Sequence, residues 1–206
     1  MDRWRARLQP ADGQEYPLCR LVPAAGCRGF LTRSVRRKVN GRLLLRAPLL
    51  RIRPAFVTDL AAVCRLAEQL AEQHHRQAPA TFAEPSGGWR DQDYWAAQLE
   101  PEDGVLFVAE AGDELVGFVT ARLSDTRSTS FLQPLILCRI GTLVVSATHR
   151  RLGVGARLLD AVEAWARDND VDELRLEVME FNEDAQAFYA RQDFRGQSRI
   201  LAKALR

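Results

Sequence analysis

A chain of 206 residues, 47% hydrophobic and 27% charged, has globular composition and length for one sizeable core, which argues against disorder throughout and against two full catalytic domains. No apolar run approaches the roughly 20 residues that a membrane-spanning helix needs, and Gly, Pro and Cys counts of 13, 9 and 4 exclude collagen and disulfide-stapled mini-proteins. The formal charge of +2 conceals an asymmetry, because the first fifty residues carry 11 Lys and Arg against 3 Asp and Glu, and the remainder 18 against 24.

Residues 1–46 hold scattered Pro and Gly and the basic cluster Arg36-Arg37-Lys38, with no sustained period. They read as a basic extension, of order left open, on a domain spanning 47–206. Nothing in the arm has the pattern of a nucleic-acid reader, so no such contact is expected from it. No secretory pattern follows Met1, which makes reduced cytoplasm the expected location, with no membrane association.

From Leu49 the texture changes. Leu49–Pro54 reads as a first strand ended by proline. Thr58 or Asp59 caps a helix whose inward face is Leu60, Val63, Leu66, Ala67 and Leu70, at spacings of three and four. A polar stretch over Gln77–Gly88 leads to a short helix, Asp91–Leu99, with Trp95 and Leu99 on one side. Val105–Glu110 and Leu115–Ala121 flank a hairpin turn, and Leu135–Val145 is the fourth strand. A long helix, Val154–Arg167, turns Leu158, Leu159, Val162, Trp165 and Ala166 inward and sets Glu163 and Arg167 four apart outside. Leu174, Leu176 and Val178 alternate as a fifth strand, Glu183–Arg191 forms another helix, and Phe194–Leu205 supplies a final strand or two. The order βααβββαβαβ describes an α/β fold with one mixed sheet and helices on its faces.

The cysteines, Cys19, Cys27, Cys64 and Cys138, form no CxxC pair, and no histidine stands at zinc-ligand spacing, so no metal is expected. The chemistry concentrates in Leu143-Val-Val-Ser-Ala-Thr-His-Arg-Arg-Leu-Gly-Val-Gly-Ala156. An apolar strand runs into two glycines one residue apart, and a helix starts at once. The first turn of a helix has N–H groups without internal partners, and the dipole adds partial positive charge there. Gly153 and Gly155 remove Cβ atoms that would keep a diphosphate from the backbone, while Arg150 and Arg151 add charge-assisted donors. A plain tight turn remains compatible with this pattern. The third glycine of a dinucleotide fingerprint is missing, as is the Lys-Ser/Thr pair of a triphosphatase loop.

Arg150-Arg151-Leu152-Gly153-Val154-Gly155 resembles the Arg/Gln-x-x-Gly-x-Gly/Ala signature of the GNAT superfamily of acyl-CoA-dependent N-acyltransferases. Twenty-seven residues after Gly155, Asn182–Phe194 resembles that family's Asn-x-x-Ala-x-x-Phe-Tyr-x-x-x-Gly-Phe segment, with Ala185, Phe188 and Tyr189 in place. The resemblance implies a mostly antiparallel sheet splayed between strands 4 and 5 with helices on both faces. It implies acetyl-CoA as co-substrate, its pyrophosphate on the backbone amides of Arg151, Leu152, Gly153, Val154, Gly155 and Ala156, with Arg150 at the loop's entry. Leu143 and Val145 would pair their main chain with the pantetheine arm, the amide of Val144 or Val145 would polarise the thioester carbonyl, Asn182 would bond the pantetheine end, and Tyr189 would protonate the departing thiolate. The residues themselves also allow Asn182 as a simple helix cap and Tyr189 as a core aromatic beside Phe188. A homodimer follows from family analogy alone.

Two positions depart from the family pattern. Asp193 stands where glycine is usual, and Gly141 stands where carboxylate-using members carry the glutamate base. An amine of lysine-like pKa is neutral in only about one molecule in two thousand at pH 7, so a proton acceptor is required. Glu110, Asp125 and Glu177 are the candidates, each equally readable as a solvated surface acid. The expected reaction is acetyl transfer to a small-molecule or peptide amine in a ternary complex, and the alternative, prompted by Gly141, is a CoA-binding sensor or interaction module. Glu84, Asp91, Asp93 and Asp125 are read as attracting a cationic acceptor, with Trp89, Tyr94 and Trp95 packing on its stem.

Overall fold

The computed structural model describes residues 38–39, 42–43, 49–85, 87, 90–99 and 101–205. The chain divides into two units, Met1–Arg46 and Ala47–Arg206. In the first, Lys38–Val39 pairs antiparallel with Arg42–Leu43. The rest of the basic extension, with Arg36, Arg37, Cys19 and Cys27, lies outside the described residues, and so does the question of a nucleic-acid contact.

The second unit runs β1 (Leu50–Pro54), a 3-10 turn (Val57–Asp59), α1 (Leu60–Gln77), α2 (Gln92–Leu99), β2 (Gly104–Ala111), β3 (Glu114–Asp125), β4 (Ile136–Val145), a 3-10 turn (Ala147–His149), α3 (Val154–Asp168), β5 (Glu173–Leu176) and α4 (Glu183–Ala190). The five strands lie side by side in chain order. All neighbours are antiparallel except β4 and β5, which run parallel across the α3 crossover. Gly112, at φ 68°, opens the two-residue turn between β2 and β3, in the positive-φ position that tight hairpins demand. Among the described residues no helix is long and apolar enough to cross a membrane.

The strands bury both faces. Val63, Leu66 and Ala67 of α1 and Trp95 and Leu99 of α2 pack on Leu106, Val108, Phe118 and Val144. On the other face Val154, Leu158, Leu159 and Val162 of α3 pack on Val119, Ala121, Cys138 and Ile140, with Phe188 and Tyr189 of α4 alongside. Burial of each large aliphatic side chain contributes about 1.5–3 kcal/mol, so β3 and β4, sandwiched between two cores, are the rigid centre of the fold.

The final strand expected over Phe194–Leu205 does not form. Residues 194–205 take no regular structure, and Ile200, Leu201 and Leu205 are largely exposed. β5 offers an edge of only four residues, and the tail's adjacent Ile200 and Leu201 lack the alternation that a half-buried strand requires. Val178 likewise falls beyond β5, because the chain leaves the sheet after Leu176.

At the opposite edge, Arg53 holds two carboxylates. Its guanidinium donates to Asp59 at 2.6 and 3.0 Å and to Glu110 at 2.5 and 2.8 Å. Asp59 also accepts the Phe56 amide, so it caps the 3-10 turn rather than α1 itself. The Arg53 hydrogen bond holds the Asp59 carboxyl below its usual value of 3.8. A carboxyl depressed on folding stabilises fully above its unfolded pKa and loses that contribution as pH falls through the folded value. Arg53→Ala is therefore expected to cost about 2 kcal/mol at neutral pH, and less as pH drops below 3.8, measured by urea unfolding across that range.

Candidate active site

β4 and β5 pair over only four positions, from Leu137–Glu173 to Ile140–Leu176. Beyond them β4 continues to Val145 beside β3 alone. Just past the last pair β4 carries a bulge, with Gly141 and Thr142 both facing Thr120 of β3. The Thr142 amide donates to the Thr120 hydroxyl at 2.9 Å. A Cβ on Gly141 would sit 2.9 Å from that same oxygen, so any side chain here would have to displace the Thr120 hydroxyl.

The Val144 carbonyl points at β3, lying 2.8 Å from where a Gly117 Cβ would be. In an antiparallel strand the amide and carbonyl of one residue share a side, and successive residues alternate. Leu143 and Val145 therefore turn their main-chain groups to the other edge, into the opening, and Val145, not Val144, is placed to donate there. The Val145 carbonyl already receives Arg150 Nε at 3.2 Å, and Arg150 also reaches Gln73 of α1 at 3.0 Å. Arg150 thus ties the turn to α1. A groove of ≈ 430 Å³ runs beside this turn, lined by Gln69, Gln73, Ser146, Thr148 and Arg150 among others.

The turn into α3 has backbone geometry that suits an anion. Arg151 and Gly153 both take left-handed backbone, at φ 62° and 82°, and successive amides around such residues form a concave nest. Gly153 is the N-cap of α3 with no side-chain cap, and no acidic residue stands in the first turn. The leading N–H groups of a fifteen-residue helix are left without an internal acceptor. Leu152 and Arg151 are exposed, Val154 is buried, and Gly155 and Ala156 are half-buried. The two glycines serve different ends. A Cβ on Gly153 would touch nothing, so its glycine answers to φ. A Cβ on Gly155 would lie 3.2 Å from the Phe188 ring, so its glycine lets α4 pack against the start of α3.

α4 brings the second motif to the same place. Asn182 Oδ1 accepts the Ala185 amide at 3.2 Å, the helix-cap role, which leaves its side-chain NH2 for other partners. Phe188, Tyr189 and Phe194 stack in series, with centroids 5.2 and 5.7 Å apart. Burial pushes the Tyr189 phenol above its ordinary value of 10, keeping it protonated at neutral pH. Asp193 has φ 62°, and the Phe194 amide bonds the Tyr189 carbonyl at 3.1 Å. Aspartate thus fills the left-handed helix-end position that glycine usually takes, and the turn survives.

Other expected residues lie elsewhere. Glu110 is not brought to the opening; it is held by Arg53 at the β1–β2 edge. Asp125 is paired with Arg127 at 2.5 Å. Trp95 is core, set edge-on against Phe118 with ring centroids 5.2 Å apart, while Tyr94 is exposed. Trp89 lies outside the described residues. Glu177 follows directly on β5 and is exposed. Cys138 is fully buried and its thiol is pushed up to about 11 by burial, and Cys64 is buried and raised likewise. Among the described residues no cluster could hold a metal ion. Sequence periodicity gave no sign of one grouping: His74 of α1 packs between Phe82 and Phe181, at 4.7 and 5.7 Å. That contact brings the end of α1 against the segment leaving β5, and burial holds His74 below its usual pKa of 6.5.

Residues 67–194 match the acetyltransferase (GNAT) family. The chain belongs to that family. It is 28% identical over 138 residues to the uncharacterized N-acetyltransferase YhfO of Bacillus subtilis (strain 168), covering 67% of this chain and 85% of that protein. A tetramutant of the BH1408 protein from Bacillus halodurans superposes with a TM-score of 0.70 at 25% identity, over 75% of this chain and 99% of the other. Aminoglycoside N-acetyltransferase AAC(6')-Iy, solved with CoA, shares the fold at a TM-score of 0.60 and 20% identity, covering 80% and 99% of the two chains. As a GNAT protein the chain is an acyl-CoA-dependent acetyltransferase with acetyl-CoA as co-substrate. The uncapped α3 amides, the left-handed turn and the acid-free first turn suit a pyrophosphate. Gly153→Ala should place a Cβ on left-handed backbone, lowering stability by about 1 kcal/mol in chemical denaturation and weakening CoA binding in calorimetry.

Proposed function

We propose that this GNAT protein moves an acetyl group from acetyl-CoA to a primary amine by direct attack, with both substrates bound together. Three features support the reading: outward main-chain groups on Leu143 and Val145, uncapped amides on α3, and, next in the chain to the Phe188 ring that lies against Gly155, the partly buried phenol of Tyr189. Acetyl-CoA supplies the activated acyl group. The amides of residues 151–156 hold its pyrophosphate, with the exposed Arg151 as a cation beside them. Leu143 and Val145 bond its pantetheine arm, and the Val145 amide donates to the carbonyl oxygen that gains charge during attack. The Asn182 side-chain NH2 is a further donor to the same arm.

Tyr189 gives its proton to the departing sulfur. Burial supports that role, because a phenol that resists ionisation stays a proton donor throughout the neutral range. Among the described residues no cysteine competes as a covalent relay, since the Cys138 thiol sits among aliphatic side chains with its pKa raised and Cys64 is buried with its pKa raised too. Glu177, exposed where the chain leaves β5, takes the amine proton through water. The acceptor is a small amine or a peptide amino group.

Tyr189→Phe should reduce kcat by about a hundredfold while CoA affinity survives. The wild-type rate should fall only as pH climbs past the ordinary tyrosine value of 10, because the acid must stay protonated and its pKa is raised. A kcat–pH profile of both forms checks this. Loss of CoA affinity in the variant, or no rate change, would remove Tyr189 from the role.

A further inference from the structure

Three arginines stand in a row across the sheet. Arg122 of β3 lies opposite Arg139 of β4, and Arg139 lies opposite Arg175 of β5. Their side chains share a face. Ala121 and Leu123 flank Arg122, Cys138 and Ile140 flank Arg139, and Leu174 and Leu176 flank Arg175, and all six flanking residues belong to or pack on the α3 core. Alternation therefore sends the three guanidinium groups to the opposite face, which is the α2 side, as the Arg122 bonds to Gln98 at 3.1 and 3.3 Å attest.

The charges are poorly compensated. Gln98 is neutral. Arg175 has the one carboxylate, Glu173, at 2.8 Å. Arg139 is exposed and has no hydrogen-bond or ion-pair partner among the described residues. Two residues along the same face from Arg122, the Ser124 hydroxyl is buried without a hydrogen-bond partner. Neighbouring strands are about 4.8 Å apart, and like charges directly opposite destabilise a sheet. A bound anion spanning the row would relieve that repulsion with charge-assisted, forked hydrogen bonds.

The position ties the row to the reaction. Arg139–Arg175 is the pair immediately before Ile140–Leu176, the last of the β4–β5 ladder. An amine at the opening therefore lies one or two residues, about 3–7 Å along the strands, from the guanidinium bases. Arginine side chains rooted that close to the opening, and long enough to turn toward it, can reach an acid group carried on the same short molecule as the amine.

We infer that the acceptor is an anionic amine, a small molecule carrying a carboxylate or phosphate that Arg122, Arg139 and Arg175 grip while its amino group faces the acetyl donor. This rests on the transferase reading for its catalytic meaning, and on the arginine row alone for its binding. Polycationic amines are repelled by the same three charges, which inverts the earlier expectation of a cationic acceptor drawn in by Asp91 and Asp93.

The test uses the full chain, with calorimetry in the presence and absence of CoA and initial rates with acetyl-CoA. β-Alanine and O-phosphoethanolamine are the anionic probes, ethanolamine the uncharged-tail control and spermidine the polycation. At least one anionic amine should bind about tenfold or more tightly than ethanolamine, and which one shows whether the row takes carboxylate or phosphate. Arg139→Gln should erase that preference, appearing in KM rather than kcat, and Arg139→Lys should restore part of it; a persisting CoA titration shows that each variant is folded. Spermidine or ethanolamine binding as tightly as both anionic amines, or a preference indifferent to Arg139→Gln, would overturn the inference even with CoA bound normally. If CoA fails to bind while the Arg139-dependent preference persists, the anion site stands and the transferase reading falls. If neither binds, both fall.

Discussion

The ladder between β4 and β5 stops after four pairs, and the rest of the site follows from that stop. A strand in the middle of a sheet must satisfy hydrogen-bonding groups on both edges. β4 does so against β3 along almost its whole length, yet against β5 only as far as Ile140. The bulge at Gly141 and Thr142 sits where the partnership ends, and its loose amide is taken by a side chain, the Thr120 hydroxyl, because the regular ladder has no group to offer. Past that point the outward groups of Leu143 and Val145 face an opening rather than a strand. Since α3 starts only a short turn later, its unpaired amides open beside them, and two kinds of main-chain donor converge without any side chain being spent on them.

What keeps such an arrangement open is the packing on either side. Val144 is clamped in the α1–α2 core while Ile140 and Cys138 are clamped in the α3 core, so β4 cannot rotate to recover its missing partner. Gly155 brings the Phe188 ring onto the start of α3, which fixes α4, and with it Tyr189, at the cradle. The ring contacts among His74, Phe82 and Phe181 link the far end of α1 to the segment that leaves β5. Rigid walls and unsatisfied backbone are the combination that preorganised donors require.

Local pattern made much of this legible. The three-and-four spacing of Val63, Leu66 and Ala67, and of Leu158, Leu159 and Val162, marks the faces that are buried, and the glycines at 153 and 155 mark the turn into α3. Pattern fails where the answer depends on a partner distant in sequence. Glu110 reads as a free acid until the β1–β2 register sets Arg53 on it, fifty-seven residues away. Gly141 reads as a lost base until the bulge shows the Thr120 hydroxyl crowding the point where a side chain would start. Phe194–Leu205 reads as a strand because the tail is partly apolar, yet strand formation needs an edge to pair with, and β5 is too short to supply one. Gly155 was legible as a glycine that matters, but its reason, contact with a ring on α4, is a tertiary fact.

The arginine row shows the same limit in electrostatic form. Residues 51–206 carry more acid than base, which suggests a surface suited to cations, and summed charge hides what register assembles. Two unit charges about 5 Å apart, the spacing of neighbouring strands, would repel by roughly 1 kcal/mol in water and about 3 kcal/mol at the lower effective dielectric near a protein surface. A third in line adds to that repulsion, and Glu173 relieves only one end. Spreading these charges to other strands would cost the fold nothing, since their flanking residues alone make the core. A sheet that nevertheless stacks them beside the ladder's end keeps a locally unfavourable feature there, and local rules of folding are most often broken at sites of function.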